Sequence, residues 1–306
     1  MSADSMWSIG ELAAQAGVTV KTVRFYSDRG LLPEAARSAG GHRRYGPEAL
    51  DRLRMIRSLR TLDLPVPDVG RVLDEEGALE DVIAGQLREL GTRMAALRWR
   101  EAALHLLQDC APEDRAARLR LIGGMSTPPS TAPLARFWRQ WLPPRLPARL
   151  TSTIIEHAVP QPPADPTPAQ VLTFARLHAF VSGPCHGGRG QHQPTAHRRD
   201  EGYRPTVLYD GLIEAYALAS PPLLTHRAPH EGQALDCFVA AYAHSAGTRD
   251  TPAFRRRLSG MLAADPRIDR YWHLTAELTD PSQPTAGAAH DWLCAALDAQ
   301  VAEPAA

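Results

Sequence analysis

Apolar residues recur every three or four positions along most of this 306-residue chain, the spacing of helices that bury one face. Near the N-terminus, Ser8 and Glu11 form the S-x-x-E pattern of a capping box, which predicts a short helix over about Ile9 to Gln15. Thr19 is placed to cap a second helix, and Gly17 between the two tolerates the positive φ of a tight turn. This spacing is typical of a helix-turn-helix, whose second helix enters the major groove of DNA.

A basic hairpin is predicted after the second helix. Leu31-Leu32-Pro33 ends the helical pattern, and Ala39-Gly40-Gly41-His42 suits the tip that joins two strands. A hairpin in this position is a wing that contacts the sugar-phosphate backbone. Pro47 then opens a helix of about four turns with leucines along one side. We predict that the following residues contact DNA: Thr19, Lys21, Thr22, Arg24, Tyr26, Arg37, His42, Arg43, Arg44 and Tyr45.

Residues 7 to about 110 resemble the DNA-binding and dimerisation parts of MerR-type transcription regulators. The stretches that carry the resemblance are Ile9–Ala13, Thr22–Tyr26, Gly30–Pro33, Gly41–Tyr45 and Leu53–Ile56. One departure is Ser27, where the family usually has glutamate. The resemblance implies a homodimer that binds double-stranded DNA at an inverted-repeat operator. It also implies RNA polymerase as a partner at the promoter, which such regulators activate by bending and untwisting the DNA.

A long helix follows, with apolar residues spaced alternately four and three apart and interrupted at Glu101. This is the seam of a coiled coil of about three and a half heptads. The alternative is a core helix that packs on its own chain; the resemblance favours pairing with a second copy. The residues predicted at the dimer seam are Ile83, Leu87, Leu90, Met94, Leu97 and Leu104.

The C-terminal part is predicted to be all-helical, because six later segments have helical spacing and no alternating strand pattern is convincing. The predicted fold is therefore mainly α: a winged helix-turn-helix with a small β wing, a long coiled-coil dimerisation helix and an all-α C-terminal domain. The predicted boundaries are 6–76 for the DNA-binding domain, 77–110 for the dimerisation helix, 111–133 for a linker and 134–306 for a helical effector-binding domain.

Charge is distributed unevenly along the chain, although the net charge is zero. Residues 1–62 contain ten basic and six acidic residues, whereas residues 63–110 contain five basic and ten acidic ones. A basic N-terminal domain suggests an anionic partner there. No secretory signal, membrane span or CxxC pair is apparent, so we expect a reduced cytoplasmic protein without a membrane partner.

Catalytic and metal chemistry have little support. Cys185, His186, His192 and His197 could ligate a metal in principle, but the glycines and arginines among them favour a basic loop. The cysteine clusters and cobalamin motif of metal- and redox-responsive relatives are missing. No spacing specifies catalysis either. We therefore expect no metal, no cofactor and no enzymatic activity.

Because metal, cofactor and catalytic sites lack support, we expect the C-terminal domain to bind a small organic effector that is apolar or aromatic. Its candidate contacts are Trp138, Trp141, Tyr242 and Trp272, although core packing explains such residues at least as well. Two further interpretations stay open. The C-terminal domain could be a protein-interaction module that needs no ligand, or the protein could be a conventional repressor that simply leaves DNA when it binds its effector.

Overall fold

The computed structural model describes residues 6–183, 203–264, 266–279 and 283–302. These residues are mainly helical, with a small three-stranded antiparallel sheet near the N-terminus. This confirms the predicted fold class. The chain forms two compact units, residues 1–94 and residues 95–306.

The first unit combines short helices with the sheet, in the order β1, α1, α2, β2, β3, α3, α4. The bounds are β1 (Trp7–Ser8), α1 (Ile9–Ala16), α2 (Val20–Asp28), β2 (Ala36–Arg37), β3 (Arg43–Tyr45), α3 (Pro47–Arg60) and α4 (Val66–Asp74). Strand β3 lies between the other two strands, with Trp7 opposite Tyr45 and Ala36 opposite Arg44. The sequence analysis missed β1, because two residues are too few to show an alternating pattern.

Capping and a glycine turn determine the angle between α1 and α2. Ser8 and Glu11 form the predicted capping box, in which each accepts a hydrogen bond from the backbone N–H of the other. Helix α1 ends at Gly17, whose φ of 64° is accessible to glycine at little cost. The turn lets Leu12 and Val23 meet in one core, where neither side chain is exposed.

Helix α5 (Ala78–Gln108) is 31 residues long and contributes to both units. In the C-terminal unit, its Trp99 is 1% exposed and packs edge-on against Phe174, with ring centroids 5.3 Å apart. The Trp99 indole N–H donates to the Pro163 carbonyl at 3.0 Å. The C-terminal half of α5 is thereby part of a core as well as a candidate dimer helix.

The rest of the second unit is helical, as predicted. Its helices are α6 (Pro112–Gly123), α7 (Ala132–Trp141), α8 (Ala148–Ala158), α9 (Pro168–Ser182), α10 (Pro205–Leu224), α11 (Gln233–Ser245), α12 (Pro252–Leu262), α13 (Pro266–Ala276) and α14 (Ala286–Ala302). Their main core is built from large apolar side chains that include Leu134, Leu208, Phe238 and Tyr271, none of them exposed.

The prediction of a linker over 111–133 is wrong for most of that segment. Residues 112–123 form α6, which starts with Pro112 in its first turn and is followed by Gly124. Ile122 and Met125 pack against the core around Trp99. Proline is compatible with the first turn of a helix, so its presence here marked a boundary and not an unstructured connection.

Among the described residues, every helix is too short or too polar to cross a membrane.

Replacing Trp99 by alanine should lower the free energy of unfolding of the C-terminal unit by about 3–5 kcal/mol, because it leaves a large cavity beside Phe174. Denaturant unfolding followed by circular dichroism measures this loss. The neighbouring Arg100 is exposed, and Arg100→Ala should change stability by less than about 0.5 kcal/mol. Equal effects of the two substitutions would contradict the anchoring of α5 through Trp99.

Candidate DNA-binding surface and ligand cavity

Helix α2 presents a basic face to solvent. Thr19 caps it by accepting a hydrogen bond from the Thr22 backbone N–H at 3.1 Å. Lys21 and Arg24 are exposed one turn apart, and neither forms a salt bridge with another described residue. Their charged groups are therefore available for phosphates or base edges, which the predicted DNA contacts of this helix require.

The wing adds a second set of basic side chains. Arg37 and His42 are exposed, and Arg44 is half-buried in the central strand β3. Arg37 pairs with Glu34 at 3.1 Å, whereas Arg44 lies 4.0 Å from Glu11. Both ion pairs are partly solvated and hence weak, so they compete little with a phosphate.

Two predicted DNA contacts need correction, since Tyr26 and Tyr45 are core residues. Tyr45 is completely buried, and its hydroxyl donates to Ser27 Oγ at 2.9 Å. Tyr26 is 9% exposed in the same core. Alternation along β3 turns Tyr45 away from the side of Arg44, so its side chain cannot reach DNA.

Arg43 is partly exposed and is engaged by two neighbouring carboxylates. Its guanidinium contacts Asp28 Oδ1 at 2.5 Å and Glu34 Oε1 at 2.6 Å, and donates to Ser27 Oγ at 3.2 Å. The hydrogen bond to Asp28 is the main cause that raises the pKa of Arg43. Arg43 therefore joins the wing to the end of α2, and its contact with DNA stays a prediction.

Sequence reasoning missed an aromatic group on the basic face of α2. Phe25 is 41% exposed, and the guanidinium carbon of Arg29 lies 3.7 Å from its ring centroid. Lys21, Phe25 and Arg29 are spaced four apart and therefore share one side of the helix. That spacing was visible in the sequence and could have added Phe25 and Arg29 to the candidates.

A second exposed surface is apolar and lies on α5. All six residues predicted at the dimer seam have 40–64% of their surface exposed, and Leu79 extends the same stripe by one turn. The buried side of α5 includes Trp99, Ala102 and Leu106 instead. The stripe is thus separate from the surface that packs on the helix's own chain.

The second unit contains a cavity of about 550 Å³, lined by residues of α7, α8 and α10 to α14. The four aromatic residues proposed from the sequence all line it: Trp138, Trp141, Tyr242 and Trp272. This volume lies within the range of sites for drug-sized molecules.

The aromatic wall is held by close packing. The Trp138 ring lies 5.1 Å from Trp141 and 5.2 Å from Trp272 between centroids. Trp272 is approached by Gly287, where a Cβ would lie 2.5 Å from the Trp272 Cβ. Tyr271 is buried behind these rings, and its hydroxyl donates to the Ala158 carbonyl at 2.7 Å. The rings are therefore part of a fixed wall.

Two polar residues of the cavity were not proposed from the sequence. Tyr216 lies on α10, seven residues after Tyr209, and its hydroxyl is 3.0 Å from His290 Nδ1 on α14. His290 Nε2 is 3.5 Å from Cys294 Sγ. The spacing of the two tyrosines puts them on one face of α10, but the contact of Tyr216 with His290 on α14 is a tertiary contact that no local pattern shows.

The described residues contain no group of three or more histidine, cysteine, aspartate or glutamate side chains able to hold a metal ion. Cys185, His186, His192 and His197 lie outside the described residues.

Comparison with known proteins gives a consistent family match. Residues 7–76 match the MerR helix-turn-helix regulatory protein family. An uncharacterised HTH-type transcriptional regulator of Pseudomonas aeruginosa is 34% identical over 116 residues, which cover 35% of this chain and 88% of that protein. The nodulation protein NolA of Bradyrhizobium is 38% identical over 89 residues, or 29% of this chain.

The chain spans 38% of the length of that NolA protein. A solved structure of the transcription regulator PbrR691 from Ralstonia metallidurans, in complex with lead(II), is 36% identical and covers 35% of this chain and 90% of that one, with a TM-score of 0.31.

Arg24→Ala should weaken DNA binding without changing the melting temperature, because this exposed side chain has no ion pair with a described residue. If Arg24 contacts a phosphate, the slope of log affinity against log salt should fall by about one; a base contact should instead cost about 1–3 kcal/mol and relax specificity. Fluorescence anisotropy measures the affinity and its salt dependence, with a duplex that the full-length protein selects from a random library.

Arg43→Ala should behave differently and lower the melting temperature, since it leaves Asp28 and Glu34 without their shared cation. Arg149 in α8 is exposed and serves as the charge-matched control. Its replacement by alanine should change neither the DNA affinity nor the melting temperature. Unchanged DNA binding by Arg24→Ala across the salt titration would contradict the assignment of α2.

Proposed function

The chain belongs to the MerR family of helix-turn-helix regulatory proteins, which are DNA-binding transcription regulators, and from this premise we propose a specific mode of action. The protein acts as a homodimer on an inverted-repeat promoter operator. A small organic effector, apolar or aromatic, binds in the C-terminal cavity and changes the distortion of the operator DNA. RNA polymerase at the promoter responds to that distortion with a change in transcription.

The exposed apolar stripe of α5 carries this proposal. Its residues from Ile83 to Leu104 follow the heptad spacing of a two-helix seam, and the described part of the chain leaves them uncovered. Monomeric proteins rarely expose a continuous apolar patch of this length. A second copy offers the matching stripe, and antiparallel pairing of the two helices lets both bury it.

Such a dimer would hold two winged modules at a fixed separation. Each module offers the basic face of α2 and the basic side chains of the wing, so the pair suits two half-sites related by two-fold symmetry. A change in the angle between the modules would bend or untwist the DNA between the half-sites. Deformations of this kind cost on the order of 1–6 kcal/mol, within reach of an effector's binding energy.

The cavity supports an organic effector as the source of that change. It has the volume of a ligand site and an aromatic wall on helices of the unit that also contains the C-terminal half of α5. A ligand shifts the dimer only if it binds one geometry more tightly than the other. The proposal therefore requires that the effector change the DNA complex and not only occupy the cavity.

Leu90→Asp and Leu97→Asp should each dissociate the dimer, because they place an unpaired charge in the apolar seam. Thr92 is exposed on the same helix but outside the stripe, and Thr92→Asp is the matched control that should stay dimeric. Light scattering on the purified proteins measures the mass. Dimers with wild-type stability in both leucine variants would rule out α5 as the interface.

The mechanism itself is tested by footprinting with a distortion-sensitive nuclease, with and without a ligand found by thermal-shift screening. We expect the ligand-free protein to occupy its operator already, and the ligand to change cleavage at the operator centre more than affinity. Release from DNA with no change at the centre would identify a conventional dissociating repressor. A C-terminal unit that no compound stabilises would favour a protein-interaction module instead.

A further inference from the structure

The wall of the cavity is almost free of charge. Among the described residues that line it there is no lysine or arginine, and the ionisable side chains of Glu156 and His157 are both exposed to solvent. In the buried part of this cavity, an organic anion would lose its hydration without gaining a cationic partner. Burial of an unpaired charge is strongly unfavourable, so the lining selects against carboxylates, sulfonates and phosphates.

The polar centre of the cavity is also uncharged. Tyr216 and His290 are paired at 3.0 Å, and His290 contacts Cys294 on the next turn of α14. Burial lowers the pKa of His290 to about 4, so the imidazole is neutral near pH 7. Burial also raises the pKa of the Tyr216 phenol, which keeps its proton.

The same environment disfavours a cation. His290 is part of the cavity wall, and its burial lowers the pKa of the imidazole by disfavouring the charged form. Glu156 lies at the exposed side, where solvent screens its attraction. Aromatic faces attract cations, but this gain has to exceed the cost of removing the cation from water.

The Tyr216–His290 pair can bind a hydroxyl group in either of its proton arrangements. If Tyr216 donates to His290 Nδ1, its oxygen accepts a hydrogen bond from a ligand. If Nδ1–H donates to Tyr216, the phenol O–H is free to donate to the ligand. A ligand hydroxyl both donates and accepts, so it satisfies either arrangement without adding charge.

We infer that this cavity binds an uncharged aromatic compound that carries a hydroxyl group, with its rings against the tryptophan wall and its hydroxyl on the Tyr216–His290 pair. The inference rests on the proposed role of the cavity as the effector site and narrows the effector to one chemical class. It also makes Tyr216 and His290 residues that determine specificity.

A matched set of naphthalenes tests the class on the full-length protein. The set is 2-naphthol, 2-methylnaphthalene, naphthalene-2-sulfonate and trimethyl(2-naphthylmethyl)ammonium, measured by calorimetry and thermal shift at pH 7. We expect 2-naphthol to bind at least about tenfold more tightly than the sulfonate and the ammonium compound, because charged groups lose hydration without a partner. It should bind about five- to tenfold more tightly than 2-methylnaphthalene through its hydrogen bond.

Tyr216→Phe locates the binding site. This variant should lose the advantage of 2-naphthol and leave 2-methylnaphthalene binding unchanged, since the ring remains and only the hydroxyl is removed. Tyr203 is a partly buried tyrosine that does not line the cavity, and Tyr203→Phe should bind 2-naphthol like the wild type. The ligand series on the wild type remains decisive if Tyr216→Phe fails to fold.

The outcomes separate this inference from the proposed function. Binding of a charged naphthalene as tight as that of 2-naphthol would overturn the inference, yet leave the cavity as a ligand site. Wild-type binding of 2-naphthol by Tyr216→Phe would overturn the role of the hydrogen-bonding pair. Failure of all four compounds to bind would overturn the inference, and the thermal-shift screen would then test the effector role of the cavity separately.

Discussion

The two apolar faces of helix α5 are the constraint on which the rest of this structure depends. At about 1.5 Å per residue, its 31 residues extend over about 46 Å. One face of its C-terminal half enters a core, where Trp99 packs on Phe174 and donates to the Pro163 carbonyl. The stripe from Ile83 to Leu104 remains exposed, and in the proposed dimer a second helix would cover it. The proposed dimer follows from the same physical need that folds the rest of the chain, the removal of apolar surface from water.

In the N-terminal unit, internal carboxylates divide the basic residues into two groups. Asp28 and Glu34 engage Arg43 at short distances, so this arginine stabilises the junction of α2 and β3. Lys21 and Arg24 have no such partner among the described residues and keep their charge available for an anionic ligand. A count of arginines therefore overestimates the number of unpaired cations in this unit, because Asp28 and Glu34 already engage Arg43.

The C-terminal cavity combines a rigid aromatic wall with neutral hydrogen-bonding groups. Close approach at Gly287 holds α14 against Trp272, and the Tyr271 hydroxyl ties α13 to the end of α8. Burial then keeps His290 neutral and Tyr216 protonated. Packing thus determines the shape of the cavity, and desolvation keeps its polar centre uncharged.

The sequence by itself determined the N-terminal fold, because its signals are local. The Ser8–Glu11 capping box, the turn at Gly17 and the spacing of the long helix act over a few residues each. The same local signals did not predict β1, because two residues are too few to show an alternating pattern. They also did not predict the helix at 112–123, because its apolar periodicity is weak and a proline stands at its start.

Tertiary structure decided which side chains are available for function. Tyr45 has a residue type and a position in the wing that suit a DNA contact, but its side chain lies in the core. Arg43 is held by acidic residues such as Asp28, which is distant in sequence. The four aromatic candidates were found from composition, yet only the packing of seven helices brings them around one cavity with Tyr216 and His290. The physical reason is that capping and periodicity depend on neighbours in sequence, whereas burial and ion pairing depend on neighbours in space.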